Sequence, residues 1–304
     1  MSGADGTSSA TTDQHAFRDV TSAHQPFGWG KAALWLIVLL LAADFLWAIA
    51  NNESFGWGTI REYFFHPEVI AGLWVSLGLT VVGMVLGTII GLVLAVMRLS
   101  DDRLGNGLAG IYIWFFRGTP LLVQLIFWYN MSTLFPTLGI DVFGLTVGGW
   151  DTNSVITPLT AAILGLALNE AAYMAEIIRG GLLSVDKGQA ETASAFGMTR
   201  GRALRRIVIP QAMRSIVPPT GNQLISMVKA TSLVSVIAMS DLLYAVQSIY
   251  NRTFDIVPML LVAVFWYLII TSVLNVGQGY IERYYGRSDR RNRAVAIAPP
   301  AGEV

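Results

Sequence analysis

Six long stretches of the chain are dominated by apolar residues: about 31–50, 69–97, 108–135, 154–178, 214–245 and 254–280. The hydrocarbon core of a bilayer takes about 20 residues of apolar helix to cross. Each stretch is therefore expected to span a membrane, and those longer than the minimum are expected to tilt or kink. Residues 1–26 are rich in Ser, Thr, Gly and Ala with few apolar anchors, the pattern of a disordered N-terminal tail. Residues 286–304 read as a basic, flexible C-terminal tail. The expected fold is all-α and integral to the membrane, a six-helix bundle.

Finer patterns sit on these runs. In "GLTVVGMVLGTIIG", Gly83, Gly87 and Gly91 recur every four residues on one helix face. Small residues at that spacing let helices approach closely, here as packing within one bundle. "GTP" at 118–120 is a Gly and Pro break in the third run, and Pro120 is expected to kink the helix. The first run has a second reading, because "AIA" at 48–50 before "NN" resembles a signal-peptidase site. The run is longer than an ordinary signal core, follows a long polar region and contains Asp44, read as structural, so a retained span is expected. Its loss would leave five spans and an outside N-terminus.

Hydrophobic residues make up 54% of the chain and charged residues 13%, about half the charged share of a soluble domain. There are no cysteines, which excludes disulfides and thiolate metal sites. His15, His24 and His66 show no ligand spacing, so no metal is expected. Net charge is zero, and no nucleic-acid partner is expected. No P-loop pattern occurs, so this chain is not expected to bind ATP or to be an enzyme. Charge placement is informative where net charge is not. Arg98, Arg103, the 179–214 segment and the C-terminal tail hold most of the basic residues, whereas the alternate segments hold only Arg61 and Arg252. Basic loops stay cytoplasmic, which predicts six spans with both termini in the cytoplasm.

That rule puts 179–214 in the cytoplasm, and within it lies "ETASAFGMTRGRALRRIVIP" at 191–210. Ala193 and Gly197 are four apart, so both are expected on one helix face, open to close approach by a partner. Glu191, placed near the helix start, would complement the macrodipole. Gly197 can stop the helix in a left-handed conformation, and Pro210 marks the next boundary. The pattern Glu191, Ala193, Gly197, Ile207 and Pro210 resembles the EAA loop of bacterial ABC-importer permeases, with Thr192 where Ala is usual and Ile209 where Leu is usual. "FRGTPLLVQL" at 116–125, "NEAAYMAEIIRGGL" at 169–182, "GQAETASAFGM" at 188–198, "IPQAMR" at 209–214 and "LISMVKATSLVSVI" at 224–237 are similar to the polar amino acid branch of that family. The resemblance covers roughly 69–285.

It implies a type I importer permease fold: a five-helix permease core over 69–285, plus one extra N-terminal span at 31–50. It further implies that the 191–197 helix couples the chain to a separate ABC ATP-binding subunit, which holds ATP and Mg. The remaining implied partners are a second permease subunit, identical or not, an extracytoplasmic amino-acid-binding protein and the amino acid itself. Membrane lipid surrounds the chain, and the location implied is the bacterial cytoplasmic membrane.

Polar residues inside a span are costly and usually face the bundle interior. In the fifth run, Asn222, Ser226, Lys229 and Ser232 form one stripe. That stripe lines a solute path or, for Lys229, pairs with a glutamate of another helix. In the fourth run, Asn169, Tyr173 and Glu176 share a face. Asn169 and Tyr173 can hydrogen-bond an amino acid's ammonium and carboxylate, while Glu176 and Arg179 are expected to pair within the helix. Glu170 could select a cationic side chain or neutralise Lys229. In the third run, Arg117 and Gln124 lie two turns apart on one face, with Arg117 near the cytoplasmic end as a snorkelling or gate residue and Gln124 a deeper path candidate. An ion-coupled secondary transporter is the alternative; it would show inverted repeats, and no convincing repeat is present. A membrane scaffold would leave the 222–232 stripe without a solute to serve.

Overall fold

The computed structural model describes residues 29–142 and 145–297. The tail expected at 1–26 and the end of the chain past Ile297 lie outside the described residues. The chain forms two units, up to Glu53 and from Ser54 onward. In the first, α1 (Trp29–Asn51) has 23 residues and is apolar on all sides, as a helix facing hydrocarbon is. At 1.5 Å per residue it is about 35 Å long, enough to cross.

The second unit runs through α2 (Trp57–Tyr63), α3 (Pro67–Leu99), α4 (Arg103–Gly118), α5 (Leu121–Tyr129) and the short α6 (Met131–Leu134). Strands β1 (Thr137–Val142) and β2 (Leu145–Asp151) follow, then α7 (Thr152–Val155) and α8 (Pro158–Leu183). The chain continues through α9 (Lys187–Ala195), α10 (Arg200–Ala203), α11 (Ile209–Ala230), α12 (Leu242–Thr253) and α13 (Ile256–Ile297). A π-helical turn, Leu204–Val208, joins α10 to α11, and a 3₁₀ turn, Thr231–Ile237, leaves α11. Caps fix the starts. Asp102 accepts from the Gly105 amide at 2.8 Å, Asp241 from Tyr244 at 2.9 Å, and Thr157 and Pro158 open α8.

Four helices are long and apolar enough to cross a membrane: α1, α3, α8 and the 256–285 part of α13. The other two expected spans are each broken. The α4–α5 pair bends by 102°, and the run from Arg200 to Ile237 bends by 46° against α12. Counting each broken pair once gives six.

The straight helices α3 and α8 form the centre of the second unit. Gly83 faces Leu166, Gly87 faces Glu170 and Gly91 faces Met174, so residue numbers rise together and the two helices are parallel. A Cβ on Gly91 would lie 2.7 Å from the Met174 Cβ and 2.9 Å from the Ala171 carbonyl oxygen. The glycine stripe is therefore the contact surface inside the bundle. Helix α11 runs antiparallel to α8, with Gly181 against Ile216 and Ser184 Oγ bonded to Ser215 Oγ at 3.0 Å.

Four features depart from the sequence reading. The third run does not continue to 135 as one helix; Pro120 turns it by 102° rather than kinking it slightly. This puts Arg117 and Gln124 on different helices instead of one shared face, with Arg117 at the far end of α4 from Arg103. Between α6 and α7 the chain forms a β-hairpin, with Thr137 paired to Asp151. Pro210 does not mark a break. The preceding π turn bonds the Ile209 amide to the Leu204 carbonyl, five residues back, so Pro210 enters at the start of α11 without interrupting the helix. Finally, α13 continues helically to Ile297, through residues expected to begin the flexible tail at 286. The segment after Tyr285 holds a single glycine and no proline before Pro299, so nothing in it stops a helix.

Candidate solute path and coupling surface

The break at Pro120 is held together by amides. Proline has no N–H, so the Phe116 carbonyl loses its partner four residues on. Gln124 Nε2 donates to that oxygen at 3.0 Å and to the Thr119 carbonyl at 3.1 Å. Asn169 Nδ2, from α8, donates to the same Phe116 oxygen at 2.9 Å and to Gln124 Oε1 at 3.2 Å. Gln124 is buried and Asn169 half-buried. Two of the expected path residues therefore hold the broken span to α8.

Tyr173 is half-buried one turn below Asn169, and the Arg117 guanidinium lies over its ring at 5.4 Å from the centroid. Arg179 Nη2 meets Glu176 Oε2 at 2.7 Å, within α8, and Arg98 and Arg117 lie close enough to add to the field at Glu176. The arginines of three helices thus converge on one carboxylate.

Glu170 is 5% exposed and sits between α3, α8 and α11. It does not neutralise Lys229; both its oxygens accept from Gln223 Nε2, at 3.3 and 3.2 Å. Gly87 makes the room, because a Cβ there would lie 2.8 Å from the Glu170 side chain. Asn222, Ser226 and Lys229 form an exposed stripe on α11, and Lys229 has no ion pair among the described residues. Ser232 leaves the stripe: it lies in the 3₁₀ turn, and its hydroxyl donates to the Lys229 carbonyl at 2.7 Å.

A second break, between the 3₁₀ turn and α12, is organised by residues that periodicity did not single out. Ala238 turns left-handed at φ +57°. Asp241, fully buried, caps α12, and Tyr267 of α13 reaches its carboxylate at 3.4 Å. Ser76 of α3 accepts from the Leu242 amide at 3.0 Å. The sequence did hold a clue in "MSDLL", an acidic residue just ahead of an apolar helical run.

The loop between α8 and α11 presents a separate surface. Asp186 caps α9, so Glu191 lies in the middle of that helix rather than near its start. Gly197, at φ +74°, ends it in a Schellman arrangement: its amide bonds Ser194 O at 3.0 Å, and the Met198 amide bonds Ala193 O at 3.0 Å. Gly197 is thus past the helix end, and Ala193, 2% exposed, is covered by the chain itself instead of offering an open face. The residue that does project is Phe196, 82% exposed. An aromatic beside a helix-stopping glycine in a polar loop was the available signal. Beside it lies a groove of about 530 Å³ walled by Glu191, Ser194, Arg200, Ala203, Leu204 and Val208. Ile207 is half-buried next to this groove and Pro210 is exposed.

Residues 87–286, which hold both breaks and this loop, match the family described as binding-protein-dependent transport system inner membrane component. The chain belongs to that family. It is 41% identical over 300 residues to the arginine transport system permease protein ArgU of Corynebacterium glutamicum, covering 97% of this chain and 93% of that one. It is 36% identical to a probable amino-acid ABC transporter permease of Bacillus subtilis, YckA, over 72% of this chain and 89% of the other. Among solved structures, a crystal structure of an amino acid ABC transporter with histidines aligns at a TM-score of 0.62 and 34% identity, over 72% of this chain and 95% of that one. The family's members are transport permeases, and the chain is a multi-pass, non-enzymatic transport component of an amino acid ABC system.

Proposed function

We propose that the chain passes polar amino acids inward across the cytoplasmic membrane, driven by a separate ATPase that grips the Glu191–Met198 segment. The observation that carries this reading is Phe196, an 82% exposed aromatic at the end of a capped, Schellman-terminated helix. Rigid ends make such a helix a lever, and an exposed aromatic is the residue type that anchors interfaces. ATP and Mg belong to the partner. Force reaches the path only if the nucleotide-bound motor prefers one permease state. The lever is tied to α11 by Gln189 and Gln211, whose side-chain amides meet at 3.4 Å.

The exposed stripe of Asn222, Ser226 and Lys229 cannot face hydrocarbon cheaply. It therefore faces a second permease subunit across an aqueous path, with Tyr173 at its margin and Gln124, Asn169, Glu170 and Ser232 supporting the wall. An extracytoplasmic binding protein delivers the solute. Basic-residue placement puts both termini in the cytoplasm. The relative named for arginine is the reason to test basic amino acids first, ahead of acidic and amide ones, in competition uptake.

The test uses the complex purified through this chain. Burying a Phe side chain is worth roughly 1.5–3 kcal/mol, so Phe196→Ala is expected to weaken ATPase retention about ten- to a hundredfold. ATPase held unchanged when Phe196→Ala and Glu191→Lys are combined would remove the lever. Uptake that persists without ATP hydrolysis would favour ion coupling instead.

A further inference from the structure

A cavity of about 600 Å³ opens between α3, α8, α11 and α13. Met84 and Val96 of α3, Ile178 of α8, and Leu204, Met213 and Thr220 of the α10–α11 run are among its walls. They are almost wholly apolar, and Thr220 turns its hydroxyl onto the Ile216 carbonyl at 2.8 Å. The groove holds no group that would bind an amino acid.

Its position, length and charge point to one occupant. On α11, Met213, Thr220 and Leu224 lie on the face opposite Asn222, Ser226 and Lys229, by the 100° step of an α-helix. The polar stripe needs a polar neighbour, so the groove opens on the other side, toward lipid. From Met84 to Val96 it follows α3 for about 18 Å, close to the roughly 15 Å depth of one leaflet's hydrocarbon. One end is basic: Leu204 is flanked by Arg202, Arg205 and Arg206, all exposed. The other end is not, since α3 carries no charged residue between Glu68 and Arg98. The π turn sets this end, bringing Leu204 and Ile209 to the same wall with the two arginines between them. We propose that the groove binds an anionic phospholipid, one acyl chain along α3 and α11 and the phosphate among Arg202, Arg205 and Arg206. The assignment does not depend on which solute the permease passes.

The full complex, purified from vesicles of equal parts phosphatidylcholine and phosphatidylglycerol, tests it by native mass spectrometry. The unaltered protein should retain phosphatidylglycerol in preference to phosphatidylcholine. Replacing Arg205→Gln and Arg206→Gln should cut that preference about fivefold per arginine, without loss of the folded complex. Val217→Trp, which fills the groove, should lower retention of both lipids. A photoactivatable phosphatidylglycerol should label the 209–217 peptide in the unaltered protein and lose that label in Val217→Trp. Equal retention of the two lipids, unchanged retention in Val217→Trp, or label spread evenly over the helices would each overturn the site. A protein segment crosslinked to 209–217 in place of lipid would do the same.

Discussion

The α3–α8 pair and the two broken spans solve the same problem by opposite means. In α3 and α8 every interior backbone group bonds within its own helix, so contact between them needs only shape. Gly87 and Gly91 supply it by removing side chains where Glu170 and Met174 press in. In the broken spans the backbone bonds are interrupted, and polar side chains from other helices complete them: Asn169 and Gln124 at Pro120, Ser76 and Tyr267 near Asp241. In a medium without water such groups must be satisfied by protein. The straight pair therefore behaves as a rigid plate, and the breaks are where the bundle can change shape.

The largest expected effect comes from overfilling the plate. A Cβ on Gly91 meets the Met174 Cβ at 2.7 Å and the Ala175 amide nitrogen at 3.0 Å, and backbone cannot move aside. Gly91→Ala is expected to cost about 1–3 kcal/mol, read as a lower thermal midpoint of the purified permease. Gly78 lies on the same helix with nothing within 4 Å. Gly78→Ala is expected to be neutral or to stabilise by up to about 1 kcal/mol from helix propensity. Equal effects at the two positions would mean that the plate is not closely packed.

The breaks offer a sharper test. Gln124→Leu leaves the Phe116 and Thr119 carbonyls short of donors, and Asn169→Leu removes the second donor to Phe116. Each is expected to cost about 1–3 kcal/mol for a buried unsatisfied group. Because both amides serve one carbonyl and bond each other, the double variant should depart from additivity by about 0.5–3 kcal/mol. Strict additivity in chemical unfolding would show that the two residues act separately and that the break is not one hydrogen-bonded unit.

This contrast also sorts what the sequence revealed. The six apolar runs, the glycine stripe and the helix stop at Gly197 depend on neighbours a few residues away or on plain composition, so spacing alone exposes them. The polar ties do not. Gln124 and Asn169 are 45 residues apart, Glu170 and Gln223 are 53 apart, and Ser76 and Leu242 are 166 apart. Helical periodicity says which face a residue is on, not which helix faces it or at what height. That is why Glu170 was matched with Lys229 when its partner is Gln223. Ala193 was misread for the same reason: its cover comes from the following helical run, and nothing in its own helix announces that. The hairpin escaped because its strands, "TLGIDV" and "LTVGGWD", follow an apolar run directly and blend into it.

The smallest effect should come from the pair that was easiest to see. Glu176 and Arg179 sit three residues apart on one helix and meet at 2.7 Å, with side chains 24% and 31% exposed. A pair this open is screened by solvent and salt, and intrahelical pairs of this spacing contribute about 0.3–0.5 kcal/mol. Glu176→Gln is therefore expected to shift stability by no more than that, with the shift shrinking as salt rises. Arg98 and Arg117 complicate the arithmetic, because they lie near the same carboxylate and lose their counter-charge with it. If the loss exceeds that of Gln124→Leu, Glu176 binds α3, α4 and α8 together as the amides bind the break. It would then belong with the long-range ties rather than with the local ones.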